Sequence, residues 1–196
     1  MPVFVGMIVL GLDPLPANEL TNGDVKTDMQ GWSGDGERVL LKPDGTEGAE
    51  GDAGAIPVIK LALSHGQSRN VFQDLHLADN SKGLLFRVDI YPSADFERSK
   101  YESDYNDHER MISSSIDIMV PMTDFWIRLG PILTANYSEW QYRYHSTDLK
   151  PGQWTTVTSH TESTDKLFDH FTVNFCVPAG NGALYLKNCS VEAKAK

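Results

Sequence analysis

The chain has 196 residues, 17 Lys and Arg against 27 Asp and Glu, a formal net charge of −10 and 40% hydrophobic residues. An acidic chain with no local cluster of Lys and Arg repels phosphate backbones, which excludes nucleic acid as the expected partner. The apolar fraction is enough to fill a core, and the length suits one all-β domain.

In chain order, the apolar run Val3 to Leu12 (VFVGMIVLGL) comes first and is too short to span a bilayer. It reads either as a truncated export signal, with Leu15-Pro16-Ala17 ahead of a cleavage point before Asn18, or as an extra edge strand. Residues 1–17 are set apart on that ground, and 18–196 form a single predicted domain. Asn22-Gly23-Asp24 signals a turn, and the Gly- and acid-rich stretch Gly31 to Gly54 reads as loop around a short strand at Val39-Leu40-Leu41.

Strand-like runs follow at Ile56 to Leu63, Asn70 to Leu77 and Leu84 to Tyr91. In the third, Leu84, Phe86, Val88 and Ile90 share one face, while Arg87, Asp89 and Tyr91 share the other. Ser93 to Arg110 is a mixed-charge segment that reads as a short helix or a long excursion. Alternation resumes at Ser113 to Val120, with Asp117 outward, and at Asp124 to Leu133, with Trp126 and Arg128 outward. Tyr137 to His145 and Trp154 to Ser159 complete this set. About ten short strands joined by polar turns predict an antiparallel two-sheet β-sandwich, or jelly roll.

The carboxy-terminal stretch predicts a hairpin. Phe171, Val173, Phe175 and Val177 alternate with polar residues, Pro178-Ala179-Gly180-Asn181-Gly182 reverses the chain, and Leu184 and Leu186 begin a second strand. In that register Cys176 and Cys189 are too far apart to bridge, so two small buried thiols are expected rather than a disulfide.

Four segments in order resemble one known family. ELTNGDVKTDMQGWS, NVFQDLHLADNSKGLLFRVDIY, LKPGQWTTV and NGALYLKNCSVEA are similar to the signature turn and strands of CenC-like carbohydrate-binding modules, among the galactose-binding-like jelly rolls. The resemblance implies a non-catalytic, secreted or cell-surface glycan binder, and implies that Trp32 and Trp154 pack inside. Many members hold a structural calcium ion near the Asn-Gly-Asp turn and the closing strand. Here Lys26 and Lys187 stand where carboxylates are usual, and although Asp24 and backbone carbonyls remain, two ammonium groups repel a cation. No cofactor is expected.

Sugar binding needs flat aromatic faces and planar polar groups. Arg87, Asp89, Tyr91, Asp117, Trp126 and Arg128 supply both if their strands share a sheet; otherwise they are a solvated face with cross-strand ion pairs. Trp140, Tyr142 and Tyr144 form a second row, either a stacking platform or part of the core, in which case Glu139, Arg143 and His145 face outward. Catalysis has little support. The acidic cluster Glu102 to Asp107 lacks strand character, the six histidines show no ligand spacing, and no nucleophile elbow or phosphate loop occurs. The expected function is glycan binding. The alternative is an assembly domain making protein–protein contacts on a cell surface or particle, with Val3 to Leu12 inserted into a neighbour.

Overall fold

The computed structural model describes residues 20–64, 69–76, 84–98, 125–131, 141–145, 149–160, 170–177 and 180–193. The Val3 to Leu12 run, the Ser113 to Val120 strand with Asp117, most of the mixed-charge segment and Trp140 lie outside these residues. Among the described residues thirteen strands occur: β1 (Ser33–Gly34), β2 (Glu37–Leu41), β3 (Glu47–Gly48), β4 (Ile56–Ala62), β5 (Arg69–His76), β6 (Leu84–Pro92) and β7 (Glu97–Arg98). They continue with β8 (Phe125–Pro131), β9 (Gln141–His145), β10 (Thr155–His160), β11 (His170–Val177), β12 (Gly180–Asn181) and β13 (Ala183–Ala193). No helix occurs among the described residues, and none there is long and apolar enough to cross a membrane.

The strands form a five-stranded sheet in the order β1-β5-β11-β8-β9 and a six-stranded sheet in the order β10-β6-β13-β4-β2-β3, with β12 and β7 pairing separately. All pairings in both sheets are antiparallel. Strand alternation decides which side chains meet between the sheets. Val71, Val173, Phe175 and Val177 come from the five-stranded sheet; Ile59, Leu61, Phe86, Val88, Ile90, Leu184 and Leu186 come from the six-stranded one. The expected antiparallel sandwich is the observed architecture.

The expected carboxy-terminal hairpin does not form. β11 lies in the five-stranded sheet between β5 and β8, whereas β13 lies in the other sheet between β6 and β4. The Gly180–Asn181 stretch pairs with Glu97–Arg98 instead of turning one strand back on the other. The reason is burial. Val173 and Phe175 face Leu184 and Leu186 across one interior, and apolar faces on successive strands can be covered by crossing between sheets as well as by pairing within one. Gly182 makes the crossing tight: its φ is +81°, and a Cβ there would stand 2.9 Å from the backbone of Phe96.

A bulge between Lys187 and Ser190 also changes the closing strand. Simple alternation from Leu186 would send Asn188 inward. Asn188 instead takes φ +50° and turns out, and Cys189 and Val191 become the core residues. Cys189 is a buried thiol outside any disulfide, with its pKa pushed up by burial. Cys176, by its pairing with Asn70 and Trp126, sits on the opposite face of the other sheet.

The amino-terminal turn is pinned from below by Gln73. Its Oε1 accepts from the Thr21 amide at 2.6 Å and its Nε2 donates to the Thr21 carbonyl at 2.9 Å. Trp32 is buried as expected: it donates from Nε1 to the Asn22 carbonyl at 3.0 Å and lies 5.9 Å from the Phe175 ring.

Candidate ligand-binding faces

The described residues of the first set singled out in the sequence fall on both sheets. Arg87, Asp89 and Tyr91 belong to β6 of the six-stranded sheet, whereas Trp126 and Arg128 belong to β8 of the five-stranded sheet. The two groups stand on opposite outer faces of the sandwich, because Phe86, Val88 and Ile90 from β6 and the β11 partners of β8 fill the interior between them.

On the six-stranded sheet, the polar groups satisfy one another. Asp89 is only 9% exposed. Its Oδ1 accepts from Thr156 Oγ1 at 2.6 Å and its Oδ2 accepts from Asn188 Nδ2 at 2.7 Å. Arg87, more than half exposed, reaches Asp89 only at 4.0 Å. Tyr91 packs against Trp154 at 5.3 Å and Tyr185 at 6.2 Å, and Gly45 closes over its hydroxyl, where a Cβ would collide. Asp89 and Tyr91 therefore hold β6, β10, β13 and the 42–46 turn together. Trp154 departs from the inward packing expected of it: it is 37% exposed, with Lys187 Nζ 3.9 Å above its ring. It precedes β10, the edge strand of its sheet.

One corner of this face responds to alkali. Tyr185 donates to Glu47 Oε1 at 3.0 Å, and Lys60 bridges Glu47 at 2.8 Å and Glu37 at 3.3 Å. Burial, reinforced by the Glu47 hydrogen bond, pushes the Tyr185 phenol up to about 12. The Glu47 contact likewise raises the Lys60 pKa. The fold keeps both protons at pH values where the unfolded chain loses them, so this contribution is complete below pH ~10 and declines as pH rises through about 12. The urea midpoint should therefore fall between pH 9 and 11.5, and should fall less in Tyr185→Phe, which has no phenol to ionise. An equal decline in the two proteins would assign the effect elsewhere.

Beside β2 and β13 of the same sheet, the oxygens of the 22–26 turn meet cationic side chains. Lys26 Nζ lies 2.9 Å from Asp24 Oδ2. Arg38 donates from Nε to the Val25 carbonyl at 2.9 Å and from Nη2 to the Lys26 carbonyl at 2.8 Å, and pairs with Glu50 at 3.1 Å. Asn22 and Val25 hold φ of +52° and +41° here. Such a φ is costly for a β-branched residue and persists only where its surroundings enforce it. A groove of about 560 Å³ opens beside this turn, lined by Asp24, Arg87, Ser190 and Glu192 among others.

The five-stranded sheet presents a different face. Directly paired residues on neighbouring strands share a side of the sheet. Phe72 is paired with Ser33 and with Asn174; Asn174 is paired with Arg128, and Arg128 with Tyr142. One row thus crosses all five strands, roughly 19 Å at about 4.8 Å per strand. The adjacent row runs Asn70, Cys176, Trp126, Tyr144. Both rows lie opposite the core, since the alternate positions Val71, Gln73, Val173 and Phe175 are buried. Of the described side chains on this face, Ser33 and Asp74 are exposed and Phe72 is half-buried.

This register joins two residues of the first sequence-derived patch to two of the second. Trp126 and Arg128 stand beside Tyr144 and Tyr142. Phe72 and Asn174 were absent from the sequence-derived set, because no local pattern shows that they neighbour Arg128.

No family model matches the chain, and no curated protein matches its sequence. Solved structures do. The CBM22-1–GH10 modules of Clostridium thermocellum endo-1,4-β-D-xylanase 10B, complexed with xylohexaose, align at 10% identity and TM-score 0.54 over 90% of this chain and 29% of that one. The enzymatically active domain of bacteriophage CBA120 tailspike protein 4 aligns at 8% identity and TM-score 0.53 over 90% of this chain and 21% of that one. A family 16 carbohydrate-binding module aligns at 14% identity and TM-score 0.51, over 89% of this chain and 99% of that module. The chain thus spans less than a third of the first two proteins and nearly all of the third. It shares with the carbohydrate-binding modules an antiparallel β-sandwich fold.

Proposed function

We propose that this β-sandwich binds glycan chains, without cleaving them, on the outer face of its five-stranded sheet. The observation that carries the reading is the pair of cross-strand rows Ser33-Phe72-Asn174-Arg128-Tyr142 and Asn70-Cys176-Trp126-Tyr144. Together they bring aromatic residues, a guanidinium and two amides to one face. Aromatic faces take the C–H surfaces of sugar rings, and planar polar groups hold their hydroxyls. Arg87, Asp89 and Tyr91 have no part in it, since Asp89 and Tyr91 are committed to contacts within the protein.

The same rows support binding without hydrolysis. Glycoside hydrolysis ordinarily uses two carboxylates flanking the bond, and Asp74 is the single carboxylate among the described strand positions of this face. An extracellular or cell-surface setting fits a polysaccharide ligand. Isothermal titration of the protein against a panel of soluble polysaccharides tests the reading. Saturable binding with no release of reducing ends is expected; absence of binding across the panel, or product release, would overturn it.

In this reading the 22–26 turn needs no calcium, because Lys26 and Arg38 already neutralise its oxygens. Added calcium should leave the thermal midpoint unchanged. Arg38→Met should lower stability by about 1–3 kcal/mol, because it strips the Val25 and Lys26 carbonyls of their donors. A calcium-dependent rise of several degrees in the wild type would refute this.

A further inference from the structure

We propose that the five-stranded sheet also carries a site for a divalent transition-metal ion, built on His76 of β5 and His170 of β11 with Asp74 beside them. His76 and His170 are exact register partners, and the next outward pair along the same two strands is Asp74 and Thr172. The histidines are far apart in the sequence, which is why no ligand spacing shows there. They share the outer face, because the alternate positions Gln73, Val173 and Phe175 are buried while Asp74 is exposed.

Residues directly opposite in an antiparallel pair have Cβ atoms about 4.5–5.5 Å apart. Two imidazoles on such a pair are within reach of one ion at the Zn–N length of about 2.0–2.1 Å. Asp74, two positions before His76 on the same face, adds a carboxylate at the next register row. Two imidazoles with a carboxylate suit zinc, copper or nickel, and leave coordination positions open to water or a ligand atom. The site does not depend on glycan binding: it lies two rows from Phe72 and Asn174.

Among the described register positions of this face, Asp74 of β5 and Arg128 of β8 are the charged residues.

The test is calorimetric titration of the full chain with zinc chloride at pH 7.5, with no glycan present. One ion per chain is expected. Affinity should be at least tenfold weaker in His76→Gln and in His170→Gln, and unchanged in His145→Gln and His160→Gln, whose register partners are Phe125 and Leu85. Circular dichroism checks that each variant is folded. A second measurement needs no variant: zinc should protect both His76 and His170 of the wild type from diethylpyrocarbonate, mapped by mass spectrometry. No zinc binding, unchanged affinity in both folded variants, or undiminished modification of the two histidines would each overturn the site.

Discussion

Replacing Phe175 by Ala should cost about 3–5 kcal/mol of stability, the largest loss expected from a single substitution in this protein. Phe175 is fully buried and is among the largest such side chains. It sits on β11, hydrogen-bonded on one side to β5 and on the other to β8, so the backbone around it cannot move in to fill the space. Across the interior the wall includes rigid sheet residues such as Ile59, Leu61 and Leu184, and Trp32 lies over its ring at 5.9 Å. The cavity would persist, adding its own cost to the lost transfer free energy. Urea unfolding at constant m-value measures the effect, with Thr158→Ala, at an exposed position, expected within about 0.5 kcal/mol of the wild type. A loss below 1 kcal/mol would mean the two sheets do not close over this ring.

Trp126→Ala should weaken glycan binding at least tenfold, about 1.4 kcal/mol or more. Trp126 stands on β8 within the aromatic part of the proposed face, between Cys176 and Tyr144 in the register. Large aromatic anchors near the middle of an interface typically carry most of its energy. Tyr142→Ala should weaken binding too, and Arg128→Lys should not be neutral, since an ammonium cannot reproduce a bidentate guanidinium. Trp154→Ala is the discriminating control. It removes the exposed tryptophan of the opposite sheet and should leave affinity unchanged. Loss of binding in Trp154→Ala with full binding in Trp126→Ala would move the site to the six-stranded sheet.

Much of the fold was legible in the chain, because alternation reports burial on one strand at a time. Phe86, Val88 and Ile90 were assigned inward and Arg87, Asp89 and Tyr91 outward from period two alone, and the structure agrees. Trp32 likewise packs inside. Pattern alone could not assign strands to sheets, since a strand paired with its neighbour and a strand facing it across a core show the same alternation. That ambiguity produced the hairpin that does not form, in which β11 and β13 face each other instead of pairing.

The candidate site divides along the same line. From local hydropathy the sequence by itself set Arg87, Asp89 and Tyr91 opposite the apolar face of one strand and Trp126 and Arg128 opposite that of another, and left Tyr142 and Tyr144 open between core and surface. The bulge after Lys187 was invisible to it, since one extra residue changes which side chains turn inward without changing composition. Only the tertiary structure decided which outward residues meet. It committed Asp89 to Thr156 and Asn188, set Arg128 beside Tyr142 and Trp126 beside Tyr144, and brought His76 opposite His170. Those neighbours are set by strand order and register, and these follow from filling one interior with residues drawn from the whole chain.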